Sequence, residues 1–301
     1  MLGANLDAVQ MAGPHLRGSL AYSVAKGIIF SSGLIEGKVA LSGPLSADAI
    51  TLLVNLRAGL GTLFSLHQAD AGDIAILHPG AHLDAHYGSG ALYFAATLSA
   101  RKLAEEVAHH GVVFDRSLLK TSGLHREAIP RTSLEWMTLQ LMRIHREASV
   151  GNQTADEIAG PFLGAAICRL GVAPWEAKRT SRNGRVTIVE RARQYILQNL
   201  SSAISMPALA AAAATSQRTM LRAFSEVLEI TPDAYVRILR LNRVRRDLVS
   251  DWGEDVTVSM IARRYGIGEL GRLSKSYRML FGENPSQTLV KSRSHRPNRI
   301  L

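Results

Sequence analysis

Short apolar runs separated by turn-forming residues dominate the first hundred positions of the chain. Each run is four to nine residues long and is bounded by Gly, Pro or Asp, which is typical of β-strands. Ala71-Gly72-Asp73 and Pro79-Gly80 predict tight turns on either side of one run. The runs predicted as strands are Tyr22–Phe30, Ile50–Leu56, Ile74–Leu77 and Leu92–Leu98.

The pattern changes to helical spacing after residue 98. Apolar residues then recur every three or four positions, as they do at Leu134, Met137, Leu141 and Ile144. The segments predicted as helices are Ser99–His110, Ser133–Ala148 and Asp156–Arg169. Strands followed by helices predict an α+β domain over residues 1–173. The polar, basic stretch after it predicts a linker over residues 174–186.

From Val186 onward every segment has helical periodicity, and the chain repeats itself. Ser205 and Thr257, 52 residues apart, each precede a short helix with a small residue in its core, followed by a break in the apolar pattern. A second helix follows each break, now at an offset of 53 residues. Its apolar anchors are Met220, Phe224 and Leu228 in the first copy and Leu273, Tyr277 and Phe281 in the second. Two short helices joined by a tight turn form a helix-turn-helix unit, so the repeat predicts two such units.

Each repeat ends at a proline, Pro232 or Pro285, that can occupy the first turn of the next helix, and Thr231 or Asn284 before it can cap that helix. Between the units, Asp233–Asp251 predicts one continuous amphipathic helix of 19 residues. Such a helix is roughly 28 Å long. Successive major grooves on one face of DNA are about 34 Å apart, so this linker helix can hold two reading helices in adjacent grooves.

The distribution of charge supports a nucleic-acid partner. The net charge of +10 lies entirely in the last 120 residues, where 20 Lys and Arg face 10 Asp and Glu, whereas residues 1–181 carry 15 of each. A neutral half joined to a basic half suggests a polyanion-binding module, although a solvated basic surface has the same composition. The single cysteine, the lack of a signal-like N-terminus and the lack of a long apolar stretch predict a cytoplasmic protein with no membrane association.

The repeat resembles the DNA-binding domain of the AraC/XylS family of transcription regulators over residues 187–292. The matching motifs are Leu209-Ala210-x3-Ala214-x-Ser216-x3-Met220-x3-Phe224, Ile261-Ala262-x3-Gly266 and Phe281-Gly282-Glu283-Asn284-Pro285. The chain departs from the family pattern at Ala214 and Glu229, which replace usual glycines, and at Gly268 and Gly271, which loosen the start of the second reading helix. Residues 293–301 form a basic tail.

The anchors must face inward, so the opposite face of each second helix is predicted to read bases. The predicted base-contacting residues are Gln217, Arg218, Leu221, Arg222, Glu269, Leu270, Arg272 and Lys275. The predicted contacts to the DNA backbone come from Ser216, Thr219, Ser274, Ser276 and Arg278. Arg218 and Arg272 are the strongest candidates for base contacts, while Glu269 can instead cap its helix.

The first half resembles the cupin-like sensory domains of the same family in the segment Ala71–Gly80. The resemblance implies an α+β cupin-like domain that binds a small-molecule effector, forms a homodimer through residues 133–149 and 155–171, or does both. It also implies RNA polymerase as a partner and activation as the mode of action. His109-His110 is interpreted as a helix end, with Gly111 as its stop.

His78, His82 and His86 have the spacing of a helical metal site, but Pro79-Gly80 disfavours a helix there. No nucleophile–base pair, phosphate loop or paired carboxylate is evident in the sequence, so no cofactor, metal or enzymatic activity is predicted. Two alternatives stay open. One is a constitutive dimeric regulator whose first domain is a ligand-free scaffold. The other, more remote, is a cupin-type metal enzyme fused to a DNA-binding tail.

Overall fold

The computed structural model describes residues 5–113, 122–126, 129–146, 152–172, 184–250 and 256–294. The chain divides into two compact units. Residues 1–8 and 17–180 form the first, and residues 9–16 and 181–301 form the second. None of the helices in the described ranges is long and apolar enough to cross a membrane.

The first unit contains two antiparallel sheets. One has the strand order β1-β4-β9-β6-β7 and the other the order β11-β8-β5-β10-β3-β2. The strands are β1 Asp7–Gln10, β2 Arg17–Ala25, β3 Ile28–Glu36, β4 Val39–Pro44, β5 Ile50–Arg57, β6 Leu63–Phe64, β7 His67–Gln68, β8 Ile74–Leu77, β9 His82–Tyr87, β10 Ala91–Leu98 and β11 Gly123–His125. Three of the four predicted strands correspond to β5, β8 and β10, and strands followed by helices confirm the α+β class.

The predicted strand Tyr22–Phe30 was wrong, because a hairpin turn divides it. Ala25 pairs with Ile28, so Lys26 and Gly27 form the two-residue loop between β2 and β3. Both loop residues have positive φ, +49° and +76°, as a type I′ turn requires. Lysine is an uncommon residue at such a position, which hid the turn from a search for Asn-Gly or Asp-Gly pairs.

Three helices cover one face of the six-stranded sheet: α1 Ala100–His109, α2 Arg131–Arg146 and α3 Asn152–Val172. The core between sheet and helices is apolar, and Phe94 of β10 packs on Phe162 of α3 with ring centroids 4.2 Å apart. Ser99 caps α1 by accepting a hydrogen bond from the Lys102 amide. The helix ends at His109, and Gly111 follows with a φ of +63°, as the sequence predicted.

The second unit is helical in the described part of residues 181–301. Its helices are α4 Gly184–Gln198, α5 Met206–Ala212, α6 Gln217–Leu228, α7 Pro232–Val249, α8 Val258–Arg264, α9 Leu270–Phe281 and α10 Pro285–Ser294. Ser205, Thr231 and Thr257 cap α5, α7 and α8 with side-chain hydrogen bonds, as predicted. Residues 184–186 already belong to α4, so the last positions of the predicted linker are helical. Residues 173–183 and 295–301 lie outside the described residues.

The pairs α5–α6 and α8–α9 are the two predicted helix-turn-helix units, which we call the first unit pair and the second unit pair. The repeat begins earlier than the sequence motifs indicate. Val189, Ala192 and Ile196 of α4 are fully buried, and residues 52 positions later in α7, Leu241, Val244 and Leu248, are buried in the same way. Helix α7 therefore follows the first unit pair and also supplies to the second the packing that α4 supplies to the first.

An N-terminal segment, Val9–Leu16, groups with the helical unit. Asn242 of α7 accepts a hydrogen bond from the Gln10 amide at 2.9 Å and donates one to the Gln10 carbonyl at 3.0 Å. The Gln10 side chain donates to the Leu280 carbonyl in the last turn of α9 at 2.6 Å. At Gly13, a Cβ atom would collide with the Leu280 carbonyl oxygen, so only glycine fits this close approach. Nothing in the sequence pattern indicated this segment.

Candidate nucleic-acid interface

Helix α6 exposes the face that the sequence assigned to DNA. Met220 and Phe224 are fully buried beneath it, which fixes the rotation of the helix. On the opposite face Gln217 and Arg218 are exposed, Leu221 is 44% exposed and the Arg222 side chain is 70% exposed. The structure therefore brings the four predicted base-contacting residues of the first reading helix together on one surface. Ser216 and Thr219, predicted to contact the DNA backbone, are exposed at its N-terminal end.

Helix α9 is arranged in the same way. Leu273 and Tyr277 are buried, and the predicted base-contacting residues of the second reading helix lie on the exposed side. They are Glu269, Leu270, Arg272 and Lys275. Of the predicted backbone contacts, Arg278 is exposed, while Ser274 and Ser276 are half-buried along the flanks of the helix.

The cations of the two faces differ in their partners. Arg222 binds Glu226 at 2.7 Å, and Glu226 also binds Arg185 of α4 at 2.7 Å. The hydrogen bond from Arg222 lowers the pKa of the Glu226 carboxyl, so this acid stays charged near neutrality. Arg272 binds Glu269 at 3.0 Å. Such exposed ion pairs are worth about 0–1 kcal/mol, so either arginine can leave its glutamate for DNA at little cost.

Arg218 and Lys275 have no ion-pair or hydrogen-bond partner among the described residues. An arginine with its five donors unoccupied can grip guanine O6 and N7 in bidentate fashion. Beside these cations lie Leu221 and Leu270, which are 44% and 43% exposed. An exposed apolar side chain on a reading helix suits contact with a thymine methyl group. Each face thus combines cationic, polar and apolar groups that match the edges of base pairs.

The two reading helices start differently. Ser216 caps α6 by accepting a hydrogen bond from the Thr219 amide, and its hydroxyl lies 2.9 Å from the Thr219 hydroxyl. Glu269 occupies the equivalent position before α9 but makes no side-chain capping bond. The suggestion that Glu269 caps its helix is therefore wrong, because its carboxylate is bound to Arg272.

A half-buried carboxylate holds the end of α9. Glu283 accepts hydrogen bonds from Arg245 of α7 at 2.8 Å, from Thr288 of α10 at 2.8 Å and from Lys291 at 2.6 Å. The Tyr277 hydroxyl donates to Thr288 at 2.9 Å, which extends this network into the core. Burial alone would raise the pKa of the Glu283 carboxyl, but the hydrogen bonds outweigh it and lower the pKa to about 2. The charged carboxylate thus joins three helices around the second reading helix.

The sequence motifs did not single out Arg245 or its counterpart in α4. Arg193 of α4 lies 52 residues earlier, donates to the Tyr235 hydroxyl at 2.9 Å and stands over that ring at 5.9 Å. Arg245 stands over the Phe281 ring at 4.7 Å. Both arginines therefore link the helix before a unit pair to an aromatic ring, which lies in α7 for Arg193 and in α9 for Arg245. The signal was the offset of 52 residues, which had been traced only from Ser205.

In the first unit of the chain, the three histidines do not share a helix. His82 and His86 lie in β9, and His78 lies in the turn before it. Within the described ranges, no three His, Cys, Asp or Glu side chains are close enough together to hold a metal ion.

An open groove of about 630 Å³ lies between the end of β5 and α2. Leu56, Leu134, Leu139 and Met142 form its apolar part. Arg57, Arg143 and Arg146 bring cationic side chains to it. Its volume is within the range of small-molecule sites.

Comparison with known proteins gives matches to the helical unit. Residues 209–291 match a helix-turn-helix domain family. The XylDLEGF operon transcriptional activator of Pseudomonas putida is 37% identical over 100 residues, which are 33% of this chain and 31% of that protein. XylDLEGF operon transcriptional activator 2 of the same species is 36% identical over 100 residues, which are 64% of its length.

Among solved structures, a probable AraC family transcriptional regulator from Rhodopseudomonas palustris is similar, with 32% identity and a TM-score of 0.34. The match covers 36% of this chain and 98% of that one. The chain therefore spans about a third of the length of the first curated relative.

Proposed function

We propose that this chain is a sequence-specific DNA-binding transcription regulator, because residues 209–291 match a helix-turn-helix domain family and 100 residues of the chain are similar to the XylDLEGF operon transcriptional activator. The observation that carries the proposal is the matched exposure of α6 and α9. Each presents cationic, polar and apolar side chains on the face opposite a buried aromatic anchor. Helix α7 between them has 18 residues and is therefore roughly 27 Å long. That length supports reading of two adjacent major grooves by one molecule.

In this proposal eight residues on the exposed faces of the two reading helices contact bases. They are Gln217, Arg218, Leu221, Arg222, Glu269, Leu270, Arg272 and Lys275. Contacts to the DNA backbone come from the two residues at the start of α6 and the three on α9. Arg218 is the first choice for a specific contact, since it is exposed and needs no ion pair broken. Arg272 is the second, since it must leave Glu269. Chromosomal DNA as the partner places the protein in the cytoplasm.

Selection of bound genomic fragments, repeated across a series of salt concentrations, tests the proposal. A shared motif with two half-elements about one helical turn apart is the expected result. Binding that weakens steeply with salt and selects no motif would overturn sequence-specific recognition, because phosphate contacts alone give that behaviour.

Arginine variants assign the contacts within the motif. Replacement of Arg218 or Arg272 by alanine is expected to weaken binding to the preferred sequence by about 1–3 kcal/mol and to relax selection at one base pair. The two variants should affect different half-elements. Uniform weakening on every sequence would make the residue a phosphate contact. Titration of each variant against duplexes carrying single base changes gives the measurement.

We also propose that the first unit of the chain forms a homodimer and binds a small effector. The exposed side of α2 carries Trp136, 45% exposed, and Leu139, 68% exposed, which supports a contact between two copies. The groove beside it, with apolar walls and arginines, supports an anionic effector.

Sedimentation velocity of the wild type and of Leu139→Asp tests the homodimer. The wild type should sediment as a dimer and the variant as a monomer. A wild type that is monomeric at all concentrations excludes the contact.

We assign activation of transcription and contact with RNA polymerase on the similarity to the XylDLEGF activators.

The proposed division of the chain keeps residues 1–173 as the sensory and dimerisation domain and 174–186 as the linker. Residues 187–292 are the DNA-binding domain and residues 293–301 a basic tail. Limited proteolysis followed by mass spectrometry of the fragments tests these boundaries, with first cleavage expected between residues 174 and 183.

A further inference from the structure

One side chain in the middle of α7 lies between the segment that leads into the first unit pair and the turn of the second unit pair. Tyr235, near the start of α7, packs against Phe224 of α6 with ring centroids 6.0 Å apart. From Leu241 onward the buried residues of α7 belong to the core of the second unit pair, with Ile261 and Leu273. Arg240 lies at the change from one core to the other.

The guanidinium of Arg240 holds the chain that follows α4. Its Nε atom donates to the Leu200 carbonyl at 3.0 Å, and its Nη2 atom donates to the Ser202 carbonyl at 2.5 Å. These carbonyls stand just beyond the C-terminal end of α4, where backbone acceptors lack helical partners and the helix dipole favours a cation. Burial lowers the pKa of Arg240, but an arginine remains charged in any folded protein.

The same guanidinium lies against the turn of the second unit pair. Gly266, with a φ of +66°, is the turn residue between α8 and α9, and a Cβ built on it would stand 3.6 Å from Nη2 of Arg240. That distance is ordinary van der Waals contact. A planar group with donors along two edges can bond two carbonyls and still present a flat face to the turn, whereas a lysine can offer only a single nitrogen.

We propose that Arg240 is a positioning residue that fixes the two reading helices relative to each other and so sets the spacing of half-elements accepted on DNA. This inference rests on the proposed function. A helix of 18 residues joined to its neighbours by side-chain packing alone leaves each unit pair free to rotate slightly about its junction with the helix. Arg240 restricts that freedom on both sides at one point, because its donors bind the chain after α4 and its guanidinium lies beside Gly266 in the turn before α9.

The energetic consequence concerns binding to two half-elements at once. When two linked reading helices bind one duplex, the second contact forms at an effective concentration set by how well the linker holds the second helix in place. Loss of the Arg240 contacts lowers that effective concentration and leaves each individual reading face intact. Its signature is a weaker gain from the second half-element, with unchanged affinity for either half-element alone.

The experiment compares Arg240→Met with Arg237→Met, which removes the same charge from an exposed position of the same helix. Affinities are measured for a duplex with both half-elements, for duplexes with either one scrambled, and for a series with one to three extra base pairs between them. For Arg240→Met we expect affinity for single half-elements within about twofold of wild type, about tenfold weaker binding to the paired site, and a flatter dependence on spacing. Arg240→Lys should fall between wild type and Arg240→Met.

Arg237→Met should leave the ratio of paired-site to single-element affinity unchanged. An Arg240→Met protein that loses affinity for single and paired elements by the same factor, or that keeps the wild-type spacing profile, overturns the proposal. Thermal unfolding followed by circular dichroism checks that each variant is folded.

A second measurement does not depend on DNA recognition. Spin labels are placed at Ser225→Cys on α6 and Met279→Cys on α9, both exposed positions, in a Cys168→Ser background. The distance distribution between the labels should broaden in Arg240→Met and not in Arg237→Met. An unchanged distribution overturns the positioning role even in a protein that selects no DNA motif. A broadened distribution with no selected motif would keep the positioning role and reject the proposed function.

Discussion

The two helix-turn-helix units adopt the same backbone conformation at two points, with different residues. In the first, Ala214 ends the turn before the reading helix with a φ of +51°, and Glu229 follows the reading helix with a φ of +57°. In the second, Gly266 and Gly282 occupy these places with φ values of +66° and +76°. A left-handed conformation costs a residue with a side chain roughly 1–2 kcal/mol, and glycine avoids that cost. The first unit pair therefore carries backbone strain that the second unit pair does not.

The second unit pair instead has a polar network at its end that the first unit pair lacks. Glu283 joins Arg245, Thr288 and Lys291, whereas the equivalent position 53 residues earlier is Ile230. Two copies of one design thus reach similar packing by different means. The comparison teaches that a strained backbone conformation persists where neighbouring interactions hold the chain in place. At Ala214 one such interaction is the Ser216 cap of the helix that follows.

Removal of the carboxylate should have the largest effect on this contrast. Glu283→Gln is expected to lower the stability of the second unit pair by about 2 kcal/mol, because three hydrogen bonds to the charged carboxylate weaken together. Amide hydrogen exchange of α9 and α10 should accelerate, while exchange of α6 stays as in the wild type. Glu269→Gln is the matched control, since it removes an exposed carboxylate from the same unit. Equal acceleration in α6 and α9 would contradict a local role.

The same carboxylate predicts a dependence on pH. Its pKa is about 2 in the folded protein, below the value of about 4.3 in an unfolded chain. Since the folded pKa is depressed, its contribution to stability is complete above about pH 5 and is lost as the pH falls through the folded value. The difference in stability between wild type and Glu283→Gln should therefore shrink between pH 5 and pH 2. A difference that stays constant over this range would rule out the charged carboxylate as its cause.

Adding a side chain to the glycine that ends the second unit pair should have the next largest effect on stability. Gly282→Ala is expected to destabilise by about 1–2 kcal/mol, because the residue has positive φ and its Cβ would stand 3.3 Å from the Pro14 Cβ. Gly268→Ala is the control, since no atom lies within 4 Å of its Cβ position and its φ lies outside the strained range. Chemical denaturation gives both values. Equal effects of the two variants would show that the conformation of Gly282 is not what matters.

The smallest effect on stability should come from relieving backbone strain in the first unit pair. Glu229→Gly is expected to be more stable than Glu229→Ala by about 1 kcal/mol, because both lose the side chain and only glycine loses the strain. Comparison of these two variants separates the backbone from the contacts of the glutamate. If the alanine variant is as stable as the glycine variant, the first unit is not strained at this position.

Much of the helical unit could be predicted from the sequence. Ser205, Thr231 and Thr257 mark helix starts because a hydroxyl before a helix has a local and recognisable role. The buried faces of α6 and α9 followed from residues at helical spacing. The partners of Arg240 and Glu283 could not be predicted in this way. They depend on which backbone atoms and side chains meet across distant helices, and no local pattern contains that information.

The N-terminal half was less accessible to the same reasoning. The turn at Lys26-Gly27 has an unusual residue, and β4 ends in Ser42-Gly43-Pro44, which interrupts the apolar pattern expected of a strand. The exposed positions predicted for DNA contact lie on common faces of α6 and α9.

The N-terminal segment Val9–Leu16 has a consequence for how the protein is made. Gln10 leaves the ribosome early, whereas its partner at Leu280 is synthesised 270 residues later. At about 5–20 residues per second, the segment waits roughly 15–50 s before its place beside α9 exists. Folding of the helical unit therefore cannot be completed before Leu280 has been synthesised, even though one of its parts emerges much earlier. A nascent chain must keep that segment available until then, and a fragment begun at α4 lacks it altogether.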